Sequence, residues 1–164
     1  MKKQHPLTED EFKQDYIDKY FRAKSLLDAD DLTVVVRAHL LIEILIEILL
    51  KKELLKSDIL ADKDFTFYMK LMIADSMGLI PSKLLPAIKK LNNIRNEFVH
   101  NINTSLQNLD IRELTELLDV KDSSRKINEQ YKNNNKLLLG LAVWYLLGYL
   151  SVPVFSHKIG SGSI

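Results

Sequence analysis

The sequence predicts an all-α fold, a helical bundle of about five to six helices. Three observations point there. Only 5 Gly and 4 Pro punctuate 164 residues, too few for many short strands joined by tight turns. The chain is dense in Leu, Ile and Lys, and Leu and Lys, which are not branched at Cβ, are good helix formers. Apolar residues recur at the three- and four-residue spacing of a helix face over several stretches. With 46% hydrophobic and 27% charged residues, the composition is that of a globular protein. The length fits one domain, expected over 1–155 and followed by a flexible tail at 156–164.

A first amphipathic helix is expected to open at Thr8, which stands three residues before Glu11 in capping-box spacing. Phe12, Tyr16, Tyr20 and Leu27 carry its apolar face, and Asp28 to Asp31 make the turn. The second helix, Leu32 to Leu55, is apolar almost all round and belongs at the centre of the bundle. A third is expected from Thr66 to Met77, with Phe67, Leu71 and Ala74 on one face and Gly78 free to take positive φ at its end. The fourth begins between Ser82 and Pro86, since proline is tolerated in a first turn, and reaches about Asn101. A polar loop to Asn108 leads into a short helix carrying Ile111, Leu114, Leu117 and Leu118, with Asp110 and Glu113 in cap spacing. Ser123 or Ser124 caps the last helix, which crosses Asn133 to Asn135 and stops before Pro153.

Several function classes are disfavoured. Lys and Arg number 23 against 22 Asp and Glu, a net charge of +1, so nucleic acid cannot be held by overall positive charge. The absence of cysteine removes disulfides, thiolate zinc sites and a cysteine nucleophile, and favours an intracellular, cytoplasmic protein. The sequence contains no Gly-rich phosphate loop, HExxH pair or GxSxG elbow, so no metal or cofactor is expected. Met1 to Phe12 does not read as a secretory signal. Leu137 to Phe155 is uncharged and long enough to span a membrane. Gly140, Gly148 and Ser151, and aromatic residues placed mid-segment instead of in two belts, favour a buried helix; a tail anchor is the alternative.

Two polar features interrupt the apolar pattern. On the second helix Glu43, Glu47 and Lys51 lie about 40° apart, with Arg37 beside Lys51, forming one seam at 100° per residue. This is either the solvated edge of a core helix or the lining of a cleft. On the fourth helix, with Ile88 at zero, Leu84, Leu91, Phe98 and Val99 fall at about −40°, −60°, −80° and +20°, and Arg95 falls at about −20° among them. Asn92, Asn96 and His100 form a ridge at about +40°, +80° and +120° beside that stripe.

Arginine offers a permanently charged donor fork matched to phosphate oxygens, and histidine moves protons near neutral pH. Intramolecular cleavage of an RNA backbone needs a base, an acid and a cation on the developing phosphorane, and needs no metal. Arg95, Asn96 and His100 are the candidate catalytic residues. The alternative is structural: Arg95 paired with Glu43 or Glu47, and His100 favoured as a cation at the helix C-terminus. His5, His39 and His157 receive no role, His39 reading as a satisfied core histidine.

The run Arg95-Asn96-Glu97-Phe98-Val99-His100 resembles the Arg-x4–6-His signature of HEPN domains, including the polar residue after arginine. Val34 to Glu43, Phe67 to Leu71 and Met77 to Ile80 precede it in an order similar to the mannitol-operon-repressor-like branch, and Lys136 to Leu150 looks like that branch's closing helix. The resemblance implies a homodimer with both motifs lining one cleft, RNA as substrate, and an antitoxin or regulatory protein as partner. It implies that Arg95 steadies phosphate charge, His100 acts as acid or base, and Asn96 orients substrate or histidine. It also makes the C-terminal apolar segment a core or dimer helix. Relatives of the repressor-like kind imply a second function, a non-catalytic transcriptional regulator that binds a partner or nucleic acid.

Overall fold

The computed structural model describes residues 29–54, 65–118 and 134–155. The expected first helix, the caps at Ser123 and Ser124, the 156–164 tail, His5 and His157 lie outside the described residues. Those described form five α-helices and two short 3₁₀ turns, with no strand among them. The helices are α1 (Asp31–Glu53), α2 (Phe67–Ser76), α3 (Leu85–His100), α4 (Arg112–Leu117) and α5 (Asn135–Phe155), with the 3₁₀ turns at Ser82–Leu84 and Leu106–Asn108.

Each start and stop has a local cause. Asp30 caps α1 by accepting from the Thr33 amide at 2.9 Å and the Thr33 hydroxyl at 2.6 Å. Thr66 caps α2 by accepting from Met69 N at 3.3 Å. At the other end of α2, Gly78 takes φ +68°. The Leu79 amide then donates to the Ala74 carbonyl at 2.9 Å and the Gly78 amide to that of Asp75 at 2.8 Å, a Schellman closure. Pro86 sits in the first turn of α3, where its missing N–H leaves no helical bond unmade. Asp110 accepts from Glu113 N at 3.2 Å at the head of α4.

The final helix differs from expectation at both ends. It begins at Asn135 behind an Asn134 cap, whose Oδ1 accepts from Leu137 N at 3.1 Å, so no helix crosses Asn134. Asn135 instead donates to the carbonyls of Leu106 and Leu109, and Lys136 to that of Ala29, tying the helix start to two other segments. It also continues through Pro153 to Phe155. Proline removes the bond to the Tyr149 carbonyl, a loss tolerable within the last turn of a helix anchored upstream by Leu146, Leu147 and Leu150, all buried.

The core is continuous. Val34, Val35, Ala38, Ile42, Leu45, Ile46, Leu49 and Leu50 of α1 meet α2, α3 and α5. From α5, Leu138, Leu139, Ala142, Val143, Leu146, Leu147 and Leu150 are buried, chiefly against α1 and α4. Asn135–Pro153 is the one described segment long and apolar enough to cross a membrane; one face of it packs in the core, while Trp144, Tyr149 and Val152 are exposed. The expectation that α1 is buried all round fails on one face, where Leu40 and Ile44 are exposed.

Candidate functional site

Along α3 the burial follows the helical projection. Leu84, Ile88, Leu91 and Phe98 are buried, as are Ala87 and Ile94, while Arg95, Asn92 and Asn96 are half-buried along the flank. Val99, placed on the apolar stripe from its angle, is 49% exposed. It belongs to the last turn, which extends past the neighbouring core.

The structure brings Arg95 and Asn96 together and leaves His100 apart. Arg95 Nη1 donates to Asn96 Oδ1 at 3.1 Å. That bond directs one edge of the guanidinium fork and leaves its remaining donors uncommitted among the described residues. His100 is the last residue of α3, exposed, five residues and about 140° around the helix from Arg95. Neither Arg95 nor Asn96 hydrogen-bonds it. It stands on the wall of an open hollow of about 650 Å³ with Leu32, Phe98, Val99, Ile102 and Thr104, which the acidic residues Asp30 and Asp31 also line. The Glu97 carbonyl of this last turn accepts from Asn101 N at 2.9 Å and from the Thr104 hydroxyl at 3.4 Å.

The seam on α1 is a solvated edge at Arg37 and Lys51, both exposed, but not at the half-buried Glu43 and Glu47. Glu43 and Glu47 point neither to open solvent nor to Arg95. Both receive Lys70 of α2, whose Nζ lies 2.8 Å from Glu43 Oε1 and 2.6 Å from Glu47 Oε1. Lys51 adds a looser contact to Glu47 at 3.8 Å. Burial works to lower the Lys70 pKa, but the two carboxylates more than offset it and hold the ammonium charged above its ordinary range. The expected alternative pairing of Arg95 with Glu43 or Glu47 is therefore absent. Arg95 makes no ion pair among the described residues.

His39 fills the space between these groups. It is 4% exposed, packs on the Phe67 ring at 4.3 Å between centroids, and sets Nε2 3.1 Å from Asn92 Oδ1. Its Nδ1 lies 3.9 Å from Glu43 Oε2. Burial lowers its pKa below the ordinary histidine value; Asn92 and Glu43 oppose the shift, and the positive charge of Arg95 reinforces it. The reading of His39 as a satisfied core histidine holds. Its link to the Arg95 helix was missed, as was Lys70. The signal for Lys70 was present: it falls between Phe67 and Ala74 on the face predicted to be apolar.

Fold and site together define an all-α protein presenting a half-buried arginine beside an amide, without a carboxylate partner among the described residues, and an exposed histidine on the same helix. No family model matches this chain, and no curated protein or solved structure matches it either.

Proposed function

We propose that the protein is an HEPN-like, metal-independent endoribonuclease of the toxin or defence type, acting in the cytoplasm as a homodimer. The observation that carries this reading is that Arg95, half-buried, makes no ion pair among the described residues. Leaving a guanidinium partly buried without a carboxylate is costly unless an anion completes it. Phosphate oxygens are the anion its planar fork matches.

In this reading Arg95 binds the scissile phosphodiester and stabilises the charge that grows on its oxygens, with Asn96 fixing the guanidinium edge. A neutral His100 removes the proton from the ribose 2′-hydroxyl, and the 2′-oxygen forms a bond to phosphorus. The bond from phosphorus to the 5′-oxygen breaks, and that oxygen takes a proton from a second, protonated imidazole. The dimer supplies it, because two copies place two His100 side chains at one cleft. The products are a 2′,3′-cyclic phosphate and a free 5′-hydroxyl.

A second reading, a regulator that binds a partner or nucleic acid without turnover, is favoured by the separation of His100 from Arg95 and by exposed Leu32, Val99 and Ile102 around it. The discriminating experiment incubates wild type and His100→Ala with total RNA in EDTA and maps fragment termini. Cleavage by wild type alone, leaving 2′,3′-cyclic phosphate ends, supports the ribonuclease. Intact RNA with a folded dimer supports the regulator.

A further inference from the structure

His39 is placed where its two ring nitrogens face two oxygens. Nε2 is 3.1 Å from Asn92 Oδ1 and Nδ1 is 3.9 Å from Glu43 Oε2. A neutral imidazole has one N–H and serves one of them; an imidazolium serves both. The ring is otherwise enclosed, with Phe67 against it.

The charged groups around it come from each helix packed on α1. Glu43 lies on α1 itself, and Lys70 of α2 is neutralised by Glu43 and Glu47. From α5 the one charged residue is Lys136, engaged at the helix start with Ala29 and Asp31. On α3, Arg95 stands three residues beyond Asn92 and thus on the same side of the helix. Among the described residues Arg95 makes no ion pair, and its charge adds to burial, the larger effect, in opposing charge on His39.

We propose that His39 is the proton-linked positioning partner of Arg95: when a phosphodiester anion neutralises the guanidinium, the buried imidazole takes up a proton from solvent and engages both Asn92 and Glu43. His39 does not touch the ligand. Its protonation draws α1 and α3 together behind the arginine, and by linkage ligand affinity rises as the pH falls through the histidine range. The inference rests on Arg95 as the anion-binding group of the function proposed above and does not require turnover.

The test is imidazole NMR on the full chain, with the His39 signals assigned by comparison with His39→Gln. The midpoint is followed in wild type, in wild type saturated with a non-cleavable 2′-O-methyl RNA oligonucleotide, and in Arg95→Gln without ligand. The expected results are an upward shift on oligonucleotide binding and an upward shift in Arg95→Gln alone. Oligonucleotide that binds while the His39 midpoint stays fixed overturns this inference and leaves the functional reading standing. Oligonucleotide that does not bind overturns the functional reading. The coupling is then decided on Arg95→Gln, where an unmoved midpoint overturns it.

Discussion

Replacing Lys70 with Met removes the cation that two helices share and leaves Glu43 and Glu47 facing each other across the vacated position. Met keeps most of the side-chain volume, so the loss is electrostatic more than steric. Removing one partner of a fully buried ion pair costs about 3–5 kcal/mol. Here the Lys70 side chain is 8% exposed, but those of Glu43 and Glu47 are 20% and 26% exposed, so water recovers part of the penalty. The expected cost at neutral pH is about 2–3 kcal/mol, or roughly 5–10 °C in Tm for a chain of this size. Because the folded-state pKa of Lys70 is raised, its contribution is fully present below the ordinary lysine value and is lost as pH rises through the raised one. Neutral pH therefore samples the full effect. Urea unfolding of wild type and variant at pH 7 is the assay. An unchanged midpoint refutes the reasoning.

Three further outcomes are expected. His39 has a lowered folded pKa, so the unfolded chain takes up its proton first; stability should fall as pH drops below about 6.5, and urea midpoints of His39→Gln should lose that slope. Gly78→Ala should cost roughly 1 kcal/mol, because φ +68° strains an L side chain although nothing lies within 4 Å of the added carbon; thermal unfolding measures it. Leu146→Ala in α5 should cost about 2–5 kcal/mol if this helix is core. A Leu146→Ala protein as stable as wild type would return α5 to the membrane reading.

Most of the fold was legible because its causes are local. Gly78, Pro86 and Asp110 act on backbone groups within a few residues, and each does in the structure what its position implied; Thr66, expected as the first helical residue, is instead the cap. The start of α5 was misplaced because Asn135 finds its partners at Leu106 and Leu109, and Lys136 at Ala29, bonds that no local spacing encodes. Arg95 among apolar residues could be read from its angle, but its bond to Asn96 could not, because neighbours in sequence lie about 100° apart on a helix. Lys70 stands out as a lysine on an apolar face, but its pairing with Glu43 and Glu47 could not be read, because the carboxylates sit on another helix. Val99 shows the opposite failure: its angle places it on the buried stripe, but angle says nothing of where the neighbouring helices stop.

The central claim is that Arg95 is open to a phosphodiester. The most direct test is fluorescence anisotropy of a labelled single-stranded 2′-O-methyl RNA in EDTA and low salt, titrated with wild type, Arg95→Ala and His100→Ala. Loss of a charge-assisted contact should weaken binding by Arg95→Ala about tenfold or more, while His100→Ala should bind close to wild type because its role is proton transfer. Equal affinity for wild type and Arg95→Ala, or no binding by wild type, contradicts the account.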